Sequence, residues 1–342
     1  MTDGGRILLG HGSGGRLYRD LVRDVFVRAF SNPILERLDD AAALATHGRI
    51  AFTTDAHVVQ PLRFAGGDIG RLAVAGTVND LVTAAARPLA LAAAFVIEEG
   101  FSLDELRAVC ASMAATAREV PIPIVTGDTK VVERGACDGL FITTTGVGEI
   151  VVQHDVTPAA VRAGDVVILS GSVGDHAVAV IAARGDFNFT AAVESDCAPL
   201  WDVVAAAVGA AGVLGLPEAV RFLRDPTRGG LTTVLAELAE SAGLGVEVEE
   251  EEIPVSPAVR SVCDLLGYDP LTLANEGKMV LVVAAEAAEA VLAAVRATEH
   301  GRDARRIGVV TAAHPGRVAL RTALGTRRVL DMPVGELLPR IC

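Results

Sequence analysis

The last residue of the chain is a cysteine, and its thiol is the most freely placed reactive group that the sequence offers. Cys342 ends a stretch over 333–342 whose two prolines and one glycine disfavour a regular helix. Such a stretch spans roughly 35 Å when extended, so the thiol can collect a chemical group at one site and carry it to another. We predict a mobile tail over 332–342 on which nothing packs. The alternative is a frayed terminus without a function.

Carboxylates recur at predicted strand ends or in helix-linked turns of the first half of the chain. They are Asp39, Asp40, Asp55, Asp80 and Asp128. Magnesium usually binds one or two carboxylates together with phosphate oxygens, so these residues are candidate ligands of an ATP–Mg²⁺ site. Lys130 has the charge to neutralise a transferring phosphoryl group. Each acid taken alone could equally be a turn or cap residue.

A glycine-rich loop, Gly10-His-Gly-Ser-Gly-Gly15, precedes an amphipathic segment over 17–30. The backbone N–H groups of such a loop can surround an anion, and a following helix adds its dipole. Together with the carboxylates, the loop favours an ATP site, although a flexible N-terminal stretch is the alternative. Neither a Walker motif nor the kinase signature set is present, so neither of these common phosphate-binding designs is in use.

The composition excludes several classes of protein. The chain has 342 residues, a net charge of −13 and five widely spaced cysteines. The negative charge argues against nucleic acids and anionic membranes as partners. No uninterrupted apolar run is long enough to span a membrane, and the first residues lack the apolar stretch of a secretory signal. Cysteines without a CxxC pair argue against a zinc site or a disulfide framework, so we expect a cytoplasmic protein.

The pattern of strands and helices predicts two domains, with the glycine-rich loop and its helix over 1–36 before them and the tail after them. Over 37–156 we expect an α+β domain whose sheet is covered by helices on one face. Its helices are predicted near 68–86 and 102–119, and its strands near 50–55, 89–97, 121–126 and 139–150. Over 157–331 the pattern predicts an α/β domain with a mostly covered sheet.

Motifs spread over nearly the whole chain together resemble the HypE family of hydrogenase maturation factors. They are His11-Gly-Ser-Gly-Gly15, Thr54-Asp55-Ala-His57-Val-Val-Gln-Pro61, Gly66-Gly-Asp-Ile-Gly-Arg-Leu-Ala-Val74, Gly76-Thr-Val-Asn-Asp-Leu81, Val125-Thr-Gly-Asp-Thr-Lys-Val-Val132, Arg224-Asp-Pro-Thr-Arg-Gly-Gly230, Leu273-Ala-Asn-Glu-Gly-Lys278 and Pro339-Arg-Ile-Cys342. The loop and the aspartates are shared with the wider aminoimidazole-ribonucleotide-synthetase-like (PurM-like) superfamily of ATP-using enzymes, whereas the ending is specific to the family. Ala56 and Ala85 depart from the expected serine and glycine. The resemblance implies a two-domain PurM-like fold.

The resemblance also implies an ATP-dependent carbamoyl dehydratase. In this family the terminal cysteine receives a carbamoyl group from the carbamoyltransferase HypF. ATP then phosphorylates the carbamoyl oxygen, and loss of phosphate leaves a thiocyanate on sulfur. The cyanide passes to iron on a HypC–HypD complex as a ligand of the [NiFe]-hydrogenase centre. A homodimer through the sheet of the first domain is implied as well, with ATP and Mg²⁺ as cofactors.

Individual roles follow from the resemblance residue by residue. Cys342 carries the group, Lys130 stabilises the transferring phosphoryl group, and Glu276 is the candidate base, unless it is a capping or turn carboxylate. The nucleotide-binding residues are His11, Gly12, Ser13, Gly14, Gly15, Thr54, Asp55, His57, Asn79, Asp80, Thr126, Gly127, Asp128 and Asn275, and the metal ligands are Asp39, Asp40, Asp55, Asp80 and Asp128. Arg224, Asp225 and Arg228 could form a structural ion-pair turn, and His176 and Cys110 are expected in the core.

Two other functions compete with this interpretation. The first is an ATP-dependent kinase or synthetase for a small molecule, similar to selenophosphate synthetase, that makes no use of Cys342. Small-molecule turnover that survives removal of the tail would favour it. The second is a non-catalytic carrier whose bound nucleotide only sets its shape. ATP hydrolysis that depends on a carbamoylated tail would exclude it.

Overall fold

The computed structural model describes residues 6–12, 16–38, 42, 44–185, 192–333 and 338–342. Several predicted site residues lie outside the described residues, namely Ser13, Gly14, Gly15, Asp39 and Asp40, and so does the part of the tail over 334–337. The helical segment predicted over 17–30 consists of α1 (Arg16–Leu21), a π-helical turn (Val22–Val27) and α2 (Arg28–Phe30). Its apolar side, which includes Val25 and Phe30, is buried.

The first domain is built on a four-stranded sheet with the order β1–β6–β4–β5. The strands of this domain are β1 (Ile50–His57), the short hairpin of β2 (Arg63–Phe64) and β3 (Gly67–Asp68), β4 (Ala86–Glu98), β5 (Ile124–Val132) and β6 (Leu140–Ile150). Strands β4 and β5 pair in parallel, whereas the other neighbours in the four-stranded sheet are antiparallel. The predicted strands of this domain are all present.

Two helices, α3 (Ile69–Thr83) and α4 (Leu103–Glu119), cover one face of this sheet. Each begins at a side-chain cap, because Asp68 and Ser102 accept hydrogen bonds from backbone N–H groups of the first turn. The predicted end of α3 at residue 86 is three residues too late. The chain turns at Ala85, whose φ of 51° lies in the left-handed region where glycine is favoured.

The opposite face of the sheet carries no helix among the described residues. Ile50 and Phe52 of β1 point to this open face and are 53% and 69% exposed. The alternate residues Thr53, Asp55 and His57 point to the helix-covered face, because successive side chains of a strand lie on opposite sides of a sheet. The expected one-sided covering of the sheet is confirmed.

The second domain is built on a seven-stranded sheet with the order β13–β12–β9–β11–β7–β10–β8. Its strands are β7 (Val166–Leu169), β8 (Val220–Arg224), β9 (Gly245–Glu249), β10 (Val280–Val283), β11 (Arg305–Thr311), β12 (Val318–Arg321) and β13 (Arg327–Leu330). Its helices are α5 (Asp175–Arg184), α6 (Trp201–Val213), α7 (Gly230–Ala242), α8 (Pro257–Leu266) and α9 (Ala288–Arg296). Every residue of β7 and β10 is buried, since side chains pack on both faces of these central strands.

Short 3₁₀ turns connect these elements, at Leu9–Gly12, Leu35–Arg37, Pro158–Ala160, Glu250–Glu252, Pro270–Thr272 and Ala285–Ala287. Within the described ranges, no helix is long and apolar enough to cross a membrane. Cys110 and His176 are fully buried, as predicted.

The end of the tail is packed. Residues 338–342 lie between the two domains, where Ile341 is only 6% exposed and joins the main hydrophobic core. The prediction that nothing packs on the tail is therefore wrong for its last residues, because an isoleucine side chain and four backbone carbonyl groups find partners in the cleft.

Candidate active site

Three of the predicted site residues meet around Gly76, in the middle of α3. A Cβ atom placed on Gly76 would lie 3.1 Å from Cε1 of His57, 3.4 Å from Oδ2 of Asp55 and 4.0 Å from Oε2 of Glu276. Strand β1 supplies Asp55 and His57, and the loop before β10 supplies Glu276. The absence of a side chain at Gly76 leaves the space into which these three groups project.

Asp80 and Asp225 add two more carboxylates to this cleft. Asp80, one turn after Gly76, accepts a hydrogen bond from Oγ1 of Thr53 at 2.8 Å, and burial raises its pKa. Asp225 directly follows β8, and burial raises its pKa to about 7, with the negative charges of Asp80 and Asp55 adding to the effect. A cavity of about 300 Å³ opens beside both, lined also by Thr227 and Arg228.

Glu276 is held at the centre of this acidic cluster. Its backbone N–H donates to Oδ1 of Asp196 at 3.1 Å, and Asp196 in turn forms a 3.2 Å ion pair with Lys278. Burial raises the pKa of Glu276 well above its usual range, and the charges of Asp225 and Asp196 add to the shift. None of the described helices begins at Glu276, so this residue is not a helix cap.

The terminal thiol lies among the same carboxylates. Burial raises the pKa of the Cys342 thiol to about 12, and the negative charge of Glu276 is the next cause of the shift. Arg228 opposes the shift, because its positive charge favours the thiolate. The docked tail thus places a protonated thiol within the electrostatic influence of Glu276 and its neighbouring carboxylates.

His57 belongs to the cluster as a neutral imidazole. It is 1% exposed, and burial lowers its pKa despite the nearby charge of Asp55. Its Nε2 atom lies 3.2 Å from Oγ1 of Thr144 and 3.8 Å from Oδ2 of Asp55. Its Nδ1 atom is buried and has no hydrogen-bond partner among the described residues. The Nδ1 atom of His57 can therefore form a hydrogen bond that no described residue supplies.

Asn79 and Asn275 are predicted to bind nucleotide, and in the structure both side chains bind backbone groups. Asn79 donates to the carbonyl groups of Ala198 and Glu276 and accepts from the N–H of Leu200. Asn275 donates to the carbonyl groups of Pro226 and Leu273 and accepts from the N–H of Gly174. Because both amides are buried and bonded to backbone, they hold the loops that carry Glu276 and Asp225 in place.

Asp128 and Lys130 lie far from the carboxylate cluster within one chain. Strands β1 and β5 are the two outer strands of the first sheet. In register, Asp55 lies opposite Thr144, whereas Asp128 lies beside Ala94, which is opposite Thr143. Asp128 therefore projects from the open face and Asp55 from the covered face. Within one chain, Asp55 and Asp128 therefore do not meet, and their shared role as magnesium ligands stays a prediction.

The remaining predicted residues lie on this open side or beside β5. Thr54, Gly127 and Asp128 are exposed, Thr126 is half-buried, and Lys130 forms a 2.7 Å ion pair with Asp128. That ion pair holds the pKa of Asp128 below its usual range. His11 is buried and its Nδ1 accepts from the N–H of Leu8, while Gly12 packs on β5, where a Cβ would lie 2.7 Å from the backbone nitrogen of Val131.

Sequence reasoning missed two contributors to the cleft, Asp225 and Arg228. Arg224, the last residue of β8, forms a 3.1 Å ion pair with Glu237 of α7, which joins the strand to the helix across the turn. In the described part of the chain no acidic side chain lies within ion-pair distance of Arg228. The signal for Asp225 was present, since it follows a buried strand and precedes a helix, as a strand-end ligand would.

Comparison with known proteins agrees with this architecture. The N-terminal domain of AIR synthase related proteins matches residues 38–150, and the C-terminal domain of the same proteins matches residues 162–321. The chain is thus an AIR synthase related protein with the two-domain PurM-like fold.

More similar relatives define the family within this class. The carbamoyl dehydratase HypE of Rhodobacter capsulatus is 49% identical over 340 residues, which cover 98% of each chain. A crystal structure of the hydrogenase maturation protein HypE in complex with ATP has a TM-score of 0.92 and 48% identity, covering 98% of this chain and 99% of the other. A HypE–HypF complex has a TM-score of 0.79 and 44% identity, covering 92% and 99%. The chain belongs to the HypE family.

Proposed function

We propose that this protein is an ATP-dependent carbamoyl dehydratase that converts a carbamoyl group on Cys342 into a thiocyanate. The single observation that carries the proposal is the position of the half-buried terminal thiol, which lies close enough to Glu276, Asp55 and Asp225 for their negative charges to raise its pKa. The HypE relatives named carbamoyl dehydratase and the HypE structure with ATP support the same chemistry.

The reaction removes the elements of water from an S-linked amide. The carbamoyl oxygen takes the γ-phosphoryl group of ATP, the two N–H protons leave, and the C–O bond breaks to release phosphate. The products are the S-cyano group, ADP, phosphate and a proton. Glu276 is the proposed acceptor for an N–H proton, because its raised pKa makes its carboxylate a stronger base than that of an exposed glutamate.

Loading of the thiol must take place while the tail is undocked. The pKa of about 12 keeps docked Cys342 protonated, whereas the nucleophilic form of a cysteine is the thiolate. We therefore propose that HypF, the carbamoyltransferase partner, receives the tail outside the cleft and that the loaded tail then returns. The known HypE–HypF complex supports this partner. An iron-carrying HypC–HypD complex in the cytoplasm is the proposed acceptor of the cyanide.

The carboxylates suit magnesium as part of a metal–nucleotide complex. Among the described residues, no group of three or more His, Cys, Asp or Glu side chains could hold a metal ion by itself. Magnesium nevertheless needs only one or two carboxylates when phosphate oxygens and water complete its shell, so Asp80 and Asp225, which line the same cavity, fit as its holders. Bound there, the ion would neutralise charge on the phosphates.

A homodimer explains how Lys130 can take part in the reaction. The open face of the first sheet carries exposed Ile50 and Phe52 on β1 and small side chains on β4, and it suits a second copy of the chain. Because Lys130 projects from this same face, we propose that it acts in the cleft of the partner chain and stabilises the transferring phosphoryl group there.

Intact mass spectrometry tests the proposed function. The protein is incubated with the carbamoyl-transfer system, first without and then with ATP. We expect the carbamoyl adduct on Cys342 without ATP and loss of the mass of one water with ATP. The Cys342→Ser variant should carry neither adduct. An adduct that stays unchanged with ATP would support the carrier alternative, and small-molecule turnover that persists in Cys342→Ser would support the kinase alternative.

A further inference from the structure

The docked tail is held partly through its backbone, beside the buried side chain of Ile341. The carbonyl groups of Pro339, Arg340, Ile341 and Cys342 all accept hydrogen bonds, from Arg184, from the N–H of Gln60, from His176 and from the N–H of Val58. Backbone carbonyl groups are the same in every residue, so a tail shifted along the cleft would still offer acceptors to these donors. These contacts alone do not select the position of Cys342.

The side chain of Arg340 makes contacts that backbone groups cannot replace. Its Nε atom donates to the carbonyl of Val58 at 2.9 Å, and its Nη1 atom donates to Oδ2 of Asp138 at 2.6 Å. The guanidinium group also lies over the ring of Phe141, with 5.8 Å between its Cζ atom and the ring centroid. The planar guanidinium group satisfies two acceptors in different directions, which a lysine ammonium group on this tail could not reproduce.

The backbone of Arg340 is also specialised. Its φ of 51° lies in the left-handed region, which costs a residue other than glycine about 1 kcal/mol. This conformation turns the chain so that the Arg340 side chain points to the first domain while Ile341 enters the core. Because the surrounding contacts must hold such a conformation, the geometry points to a function for this residue.

We propose that Arg340 is the positioning residue of the tail and that Asp138, Phe141 and the carbonyl of Val58 form its receptor. Arg340 reaches this receptor in only one register, and in that register Cys342 lies beside Glu276. The proposal rests on the proposed function for its purpose, since positioning matters only if chemistry takes place on the thiol. The contacts of Arg340 would explain why an arginine stands two residues before Cys342.

Substitution of Arg340 should shift the equilibrium between docked and undocked tail without unfolding the protein. The side chain of Asp138 is 58% exposed and that of Arg340 is 34% exposed, so their ion pair adds little to global stability. The docked state, in contrast, depends on a small number of contacts. Loss of two hydrogen bonds from a charged donor should therefore shift the population of the docked state by about tenfold or more.

The experiment measures the rate at which iodoacetamide labels Cys342, followed by peptide mass mapping, in the full chain without nucleotide. Arg340→Ala should label about tenfold faster than the parent protein, and Arg340→Lys should fall between them. Arg327→Ala is the matched control, since Arg327 is exposed and makes no ion pair in the described part of the chain. The urea unfolding midpoint should stay unchanged in all three variants.

Asp138→Asn provides a second measurement that does not alter the tail. It should also speed labelling, and its effect should largely disappear in an Arg340→Ala background, because both changes remove the same contact. Labelling of folded Arg340→Ala within about twofold of the control would overturn the proposal, and so would fully additive effects of the two changes. If Arg340→Ala fails to fold, Asp138→Asn alone decides. Labelling requires neither ATP nor a carbamoyl group, so its outcome is independent of whether the dehydratase reaction is found.

Discussion

Asp225→Asn should make the protein more stable at neutral and alkaline pH. The carboxyl of Asp225 is 8% exposed, and burial raises its pKa to about 7. In the unfolded chain the same group ionises near pH 3.9. Between these two values the folded protein holds a proton that the unfolded chain has released, so the free energy of unfolding falls as the pH rises through this window.

The size of the effect follows from the shift. A change from about 3.8 to about 7 is close to three pKa units, and each unit corresponds to 1.36 kcal/mol, so ionised Asp225 costs the folded state about 4 kcal/mol. Asparagine has almost the same shape and carries no charge. The variant should therefore gain up to about 4 kcal/mol over the parent near pH 8 and almost nothing near pH 4.

Urea unfolding at a series of pH values measures this difference, in buffer without nucleotide and with a chelator present. Asp303→Asn serves as the control, because Asp303 is an exposed aspartate of the same domain and makes no ion pair among the described residues. Its stability should follow that of the parent protein at every pH. We also expect Asp225→Asn to lose magnesium-dependent nucleotide binding, because a stabilising change at a ligand-binding carboxylate removes a ligand.

A stability difference that is independent of pH would refute the reasoning. It would mean that Asp225 ionises at the same pH in the folded and unfolded chains, and hence that the neighbouring carboxylates and burial do not act on it. A destabilised variant near pH 8 would likewise show that the charge is compensated in the folded protein.

Four further outcomes are expected. Asn79→Ala should lower the free energy of unfolding by about 3 kcal/mol or more in urea titrations, because three buried backbone groups lose their partner; a loss below about 1 kcal/mol would contradict this role. Ala85→Gly should raise the free energy of unfolding by about 1 kcal/mol, since the φ of 51° suits glycine. A less stable variant would show that the turn carries no strain. A one-to-one mixture of Lys130→Ala and Cys342→Ser chains, unfolded and refolded together, should regain about one quarter of parental dehydration if Lys130 acts across a dimer, and none if it acts within its own chain. Glu276→Gln should bind ATP in calorimetry with parental affinity but leave the carbamoyl mass unchanged; formation of the thiocyanate at the parental rate would place the base elsewhere.

Local patterns determined most of the secondary structure. The capping residue Ser102 marked the start of α4, and the apolar runs gave β1, β4 and β6 within a few residues. These signals act over one or two turns, so they can be read without knowledge of the fold. The short strand β13 carries no such signal, because its residues Arg327–Leu330 are mostly exposed and show no apolar run.

The composition of the site was partly predictable, since Asp55, Asp80, His57, Glu276 and Cys342 do come together. Their residue types and their positions at strand ends carried that signal. Asp225 gave the same kind of signal but was equally compatible with an ion-pair turn. The chain alone could not separate these possibilities, because they differ in whether the carboxylate is buried beside other acids.

Only the tertiary structure decided on which side of the sheet each group lies. Asp55 and Asp128 occupy similar places in sequence patterns, yet strand order puts β1 and β5 at opposite edges and register puts the two side chains on opposite faces. The docking of the tail could not be predicted from the sequence for the same reason. Prolines and glycine indicate that Pro333–Cys342 is not a helix, but the donors that bind its carbonyl groups come from residues more than a hundred positions away. Long-range pairing depends on the packing of the whole chain, and no local pattern encodes it.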